Sequence, residues 1–183
     1  MKAAVIRQDR FGKPDDAIQI EEVPVPDIAG DQVLIAVIAA GVNYNAVWAA
    51  AGFPVDVIAL RMRQGDSEDY HIPGSDASGI VWAVGPDVRH VRVGDAVIVS
   101  CGQWIESKNG GPSTQGMKSP SIWGYESNFG SFAEFAVVYE HQCYPKPDWL
   151  PWDEAACFLL TGATAYRQLF GWPPNTVQRG DPV

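Results

Sequence analysis

Short apolar runs separated by turn-forming residues dominate the chain. Lys2–Arg7 (KAAVIR) predicts a first strand and Ala17–Val23 (AIQIEEV) a second, with Pro24, Pro26 and Gly30 marking the turn that follows. Gln32–Val42 (QVLIAVIAAGV) is the strongest strand signal, continuous and β-branched, and it is expected to be buried on both faces. Tyr44–Ala51 predicts a short helix stopped by Gly52 and Pro54, whereas residues 55–73 show no core pattern and read as loop. Ser78–Val84, Ala96–Ser100 and Phe132–Tyr139 predict further strands. Residues 102–124 are rich in Gly, Ser, Pro and Asn, and a loop of that length inside a compact domain is usually functional or disordered.

The character changes after Pro151. Trp152–Leu160 and Ala163–Phe170 carry helix formers, and Asp153 and Glu154 oppose the positive end of the dipole in the first turn. The fold expected is mainly β with α: a small β-barrel over residues 1–151, then a helical connection over 152–183.

Composition narrows the function. The 183 residues are 46% hydrophobic and 19% charged, which excludes a disordered chain and needs no disulfide or metal to stabilise the core. Thirteen basic against 22 acidic residues leave a net charge of −9, which argues against nucleic acid and anionic membranes as partners. Cys101, Cys143 and Cys157 are scattered, without a CxxC pair, as expected of a cytoplasmic protein in a reducing compartment. The longest apolar run is about half the ~20 residues of a membrane span.

Three stretches carry a resemblance: AAGVNYNAVWAA (39–50), IPGSDASGIVWAVGPDVRHVRVGDAVIV (72–99) and EAACFLLTGATAYRQLF (154–170). Their order resembles the amino-terminal, GroES-like catalytic domain of medium-chain dehydrogenase/reductases. IWGYESNFGSFAEF (122–135) resembles a tract of crotonyl-CoA carboxylase/reductases in particular. The resemblance implies an oxidoreductase using NADPH and CO2 on an enoyl-CoA thioester, in which hydride reaches the β-carbon and the resulting enolate attacks CO2. Zinc-dependent relatives carry Cys where this chain has Asn43 and a His-Glu pair where it has Ser75 and Asp76, so no zinc and no other metal is expected. No GxGxxG follows a strand, so the Rossmann domain that would hold most of the NADPH is expected elsewhere, in a complementary cofactor-binding half or a homo-oligomer. The isolated chain is therefore expected to be nearly inactive.

By the same resemblance, Asn45, Tyr125 and Glu126 form the catalytic, CO2-positioning group, with Tyr125 where Phe is common. Asn43, Tyr44, Thr161 and Thr164 are the expected contacts on the cofactor side. Plainer readings stand beside these: Asn45 as a helix-start residue, Glu126 as a solvated loop acid, and Thr161 and Thr164 as helix-packing residues. Asp76 reads as a turn cap, and His71, His90 and His141 suggest no triad. Trp48, Trp82 and Trp123 are expected in core and subunit contacts. A non-carboxylating enoyl-CoA reductase and a GroES-like binding domain without turnover remain the alternative functions.

Overall fold

The computed structural model describes residues 1–103, 121–171, 177–178 and 180–181. Its centre is a five-stranded antiparallel sheet in the order β10-β6-β5-β3-β9, formed by β3 (Gln32–Gly41), β5 (Asp76–Val84), β6 (Ala96–Val99), β9 (Phe135–Tyr139) and β10 (Cys143–Pro145). A smaller sheet, β2-β1-β4, joins β1 (Lys2–Arg7) to β2 (Gln19–Glu22) and β4 (Tyr70–His71). Val33, Ile35, Val81, Val97, Val99, Ala136 and Val138 turn one face of the large sheet inward around the buried Trp123. The indole Nε1–H of Trp123 donates to the Phe129 carbonyl at 3.1 Å, so the polar end of this buried ring is satisfied.

The expected β-plus-helix architecture is present, with local differences. Burial on both faces of β3 holds only for Val33–Ile35, and Ile38 is half exposed. The second strand begins later than expected, because α1 (Pro14–Ala17) takes its first residues. The region expected to be loop over 55–73 contains α3 (Val57–Arg63) and β4. Asp56 caps α3 by accepting the Ala59 N–H at 2.8 Å, and Val57 and Ile58 are fully buried. Arg61 is buried as well, paired with Asp66 and donating to the Tyr70 carbonyl at 2.6 Å. The ends of the 102–124 loop pair as β7 (Gly102–Gln103) and β8 (Ser121–Ile122), and the rest of that loop lies outside the described residues.

α2 (Tyr44–Ala51) has the expected bounds. Its Ala49 and Ala50 pack with Ile6, Val57 and Ile58 in a second cluster, against which Tyr125 lies. The tail forms α4 (Trp152–Ala155) and α5 (Leu159–Phe170): the helix expected over Trp152–Leu160 is interrupted between Ala155 and Leu159, and α5 runs unbroken through Thr161–Gly162, where a break was expected. Of the tryptophans singled out, Trp123 is core, whereas Trp48 and Trp82 are substantially exposed. No helix among the described residues is long and apolar enough to cross a membrane.

Candidate active site

Two tracts distant in sequence are pressed together backbone to backbone. Gly74 and Gly124 both have positive φ, +109° and +70°, and a Cβ on Gly124 would stand 1.9 Å from the Gly74 carbonyl oxygen. No larger residue permits that approach. The Gly130 N–H donates to the Ile72 carbonyl and the Ser131 N–H to the Gly74 carbonyl, both at 3.0 Å. Asn128 stitches the same seam, accepting the Ile72 N–H at 2.8 Å and donating to the Tyr70 carbonyl at 3.1 Å. His71, fully buried, places Nε2 3.3 Å from the Gly124 carbonyl, and burial pushes its pKa down to about 3, so the ring is neutral.

This seam fixes Tyr125 and Glu126. The Tyr125 ring lies 6.2 Å from that of Trp48, which in turn meets Tyr44 edge-on at 5.4 Å. Burial, and then the Glu126 charge, raise the Tyr125 pKa, so its phenol remains a hydrogen-bond donor at neutral pH. Glu126 closes its own turn twice: its N–H donates to the Ile122 carbonyl at 2.8 Å, and its Oε2 accepts the Ile122 N–H at 2.7 Å. The carboxylate is thus oriented by the backbone rather than left to solvent.

The first turn of α2 faces the start of β5. Asn45 Nδ2 is 3.4 Å from Ser75 Oγ, and Trp48, three residues on and on the same side of the helix, reaches Tyr125. Asn45, Ser75, Trp48 and Tyr125 therefore surround one locality, with Tyr44 exposed beside it. Asn43 sits at the N-cap of α2 without capping it; its Nδ2 donates instead to Asp76 Oδ2 at 3.0 Å. On the tail, Thr161 and Thr164 are exposed on α5 and donate to the Cys157 and Leu160 carbonyls at 3.4 and 2.6 Å.

Asp76 is the residue the sequence reading missed. It is not a turn cap but the buried first residue of β5, accepting from Asn43 through Oδ2 and from the Leu160 N–H through Oδ1 at 3.0 Å. Burial pushes its pKa up to about 6, against the opposing pull of these two bonds. Two signals were present: an acid directly before the small-residue run Ala77-Ser78-Gly79, and its place where zinc-dependent relatives carry the Glu of a His-Glu pair.

A carboxyl that holds its proton more tightly folded than unfolded stabilises the fold below its unfolded pKa near 4. That contribution, about 3 kcal/mol at full extent, is lost as pH rises through about 6. Asp76→Asn is expected to remove this slope while retaining both hydrogen bonds, because Asn43 can turn its carbonyl to the new amide. Urea denaturation between pH 4 and 7 checks this: the variant's stability should be flat where that of the parent chain falls.

The donor set at this place does not fit zinc. Both Asp76 oxygens are taken by N–H donors, positions 43 and 75 offer an amide and a hydroxyl, and the Cys101 thiol is pushed up to about 11 by burial and by Asp76. Among the described residues no group of three or more His, Cys, Asp or Glu is placed to hold a metal ion.

Residues 29–148, which contain the sheet and both tracts of the seam, match the alcohol dehydrogenase GroES-like domain, and the chain belongs to that family. Its near relatives within the medium-chain dehydrogenase/reductases are crotonyl-CoA carboxylase/reductases. The Cereibacter sphaeroides crotonyl-CoA carboxylase/reductase is 49% identical over 188 residues, aligning with all of this chain and 42% of its own length. The crotonyl-CoA carboxylase/reductase AntE, solved in complex with NADP, superposes with a TM-score of 0.89 at 54% identity, covering all of this chain and 45% of AntE. The 2-octenoyl-CoA carboxylase reductase CinF, solved with NADP and 2-octenoyl-CoA, gives 0.79 at 36% identity, covering 92% of this chain and 42% of CinF. The chain thus spans less than half the length of these relatives.

Proposed function

We propose that this chain forms the substrate-side domain of an NADPH-dependent enoyl-CoA carboxylase/reductase of the cytoplasm. The observation that supports the reading is the seam through Gly74 and Gly124, which sets Tyr125, with Glu126 next to it in the chain, against Trp48 on the helix bearing Asn45. When bound, NADPH supplies hydride to the β-carbon of the enoyl thioester. The α-carbon of the enolate then bonds to CO2, giving a carboxylated saturated thioester with no proton consumed.

In this reading the Asn45 amide N–H holds a CO2 oxygen, and Glu126, whose carboxylate is held by the Ile122 N–H, orders bound water. The exposed Thr161 and Thr164 hydroxyls give their protons to helix carbonyls, so their oxygens remain acceptors for the carboxamide N–H groups of the cofactor. Tyr44, exposed beside the site, is the remaining cofactor-side contact on α2. Asn43 acts there through its hold on Asp76.

One feature favours a second reading, reduction without carboxylation: Tyr125 carries a hydroxyl where the resembled family often has Phe, and its ring lies 6.2 Å from that of Trp48 on the helix bearing Asn45, so the phenol can donate a proton to the α-carbon. A chimera joining residues 1–183 to the remaining length of the Cereibacter sphaeroides relative separates the readings. NADPH oxidation with crotonyl-CoA that rises with added bicarbonate supports the carboxylase. Oxidation at a bicarbonate-independent rate supports the reductase, and no oxidation at all supports a binding domain without turnover.

A further inference from the structure

α5 presents a physical problem: none of its 12 residues is buried, although it carries both threonines assigned to the cofactor side. An amphipathic face alone does not hold such a helix, because most helical stability in a protein comes from tertiary packing. The anchoring comes from β5 and the end of β3. Ser78 Oγ donates to the Trp152 carbonyl at 2.6 Å, fixing α4. A Cβ on Gly41 would lie 2.3 Å from the Ala156 carbonyl oxygen, so the chain between α4 and α5 rests directly on the end of β3. Two residues before Ser78, on the same face of β5, Asp76 receives the Leu160 N–H in the first turn of α5. A buried carboxylate there satisfies one of the orphan N–H groups of the helix and complements its dipole.

The other oxygen of the same carboxylate holds Asn43, the residue that opens α2. From this bridge we infer that Asp76 is a positioning residue, a clasp that sets the start of α5 against the start of α2. With Ser78 and Gly41 holding the chain that precedes α5, Asp76 is the side chain that ties the first turn of α5 directly to the start of α2. The inference rests on the function proposed above only for its kinetic consequence; the clasp itself is a statement about this chain.

Amide hydrogen exchange on the 183-residue chain tests the clasp without reference to activity. Asp76→Ala is expected to speed exchange about tenfold or more at Leu160 and the first turn of α5, with the β3–β5 ladder still protected. Asp76→Asn, which keeps an acceptor for Leu160 and a partner for Asn43, is expected to restore most of the protection. Unchanged exchange at Leu160 in Asp76→Ala would overturn the clasp, and so would equal loss in both variants. If Asp76→Ala loosens the ladder as well, the Asn43→Asp/Asp76→Asn pair, which reverses the bridge, decides the matter: it should regain Leu160 protection, and failure to regain it counts against the inference.

In the chimera, Asp76→Ala should lower kcat by a factor on the order of 10², with KM for crotonyl-CoA within about threefold of the parent, as expected of misalignment rather than lost binding. A rise in KM alone would contradict a positioning role. A parent chimera inactive with crotonyl-CoA would remove the proposed function and this kinetic consequence together, while the exchange result would still decide the clasp.

Discussion

Gly124→Ala is expected to destabilise the fold by about 3 kcal/mol or more and to detach the tract that bears Tyr125 and Glu126. Two costs add. The residue sits at φ +70°, where a non-glycine side chain costs roughly 1–2 kcal/mol. The new methyl would also stand 1.9 Å from the Gly74 carbonyl oxygen, with backbone rather than a movable side chain opposing it. For a chain of this size the drop in Tm should be roughly 6–12 °C. Gly65→Ala is the control, because Gly65 has φ +96° but nothing within 4 Å of the added methyl, so only the backbone cost applies. Thermal denaturation followed by circular dichroism compares the two. If Gly124→Ala melted no lower than Gly65→Ala, the close approach of the two tracts would be wrong.

Asn45→Ala is expected to leave stability nearly unchanged and to lower the carboxylation rate of the chimera by about 10²-fold, the usual effect of removing one preorganised donor. The stability effect is small because the bond to Ser75 Oγ is long, 3.4 Å, and the residue is only partly buried. Because the proposed role of Asn45 is toward CO2 and not toward the hydride, NADPH oxidation should fall less than carboxylation. The product mixture should shift toward the plainly reduced thioester. Parallel measurement of NADPH consumption and product composition checks this, and an equal fall in both would place Asn45 in hydride transfer instead.

The elements whose burial is apolar were legible in the sequence. β3 is rich in β-branched residues and was read to within one residue, ending at Gly41 rather than Val42, and α2 has its stop at Gly52, so its bounds could be read directly. α3 was not legible, because the helix buries Arg61 and satisfies it through Asp66 and the Tyr70 carbonyl. Apolar periodicity cannot anticipate a buried cation whose partners come from the following turn. β4 and β10 escaped notice because two or three residues are too few to show alternation, and their existence depends on the strands they pair with.

The candidate site divides in the same way. The motif around Asn43 and Asn45 and the tract with Tyr125 and Glu126 were recognisable as segments. What joins them is a contact of two glycine backbones, and a sequence prints glycines without their neighbours. The environment of Asp76 is set by residues 33 and 84 positions away, so nothing local distinguishes this buried bridge from an acid in an ordinary turn. Thr161 and Thr164 fall on one side of one helix only because α5 runs unbroken through Gly162, which local propensity argues against.

In the function proposed above, these residues serve reductive carboxylation of an enoyl-CoA. The most direct test is to supply the chimera with NADPH, crotonyl-CoA and 13C-labelled bicarbonate and to analyse the thioester product by mass spectrometry. The expected product is a saturated thioester heavier than butyryl-CoA by one labelled CO2, formed one for one with NADPH oxidised. Butyryl-CoA as the only product, with no label incorporated, would contradict it.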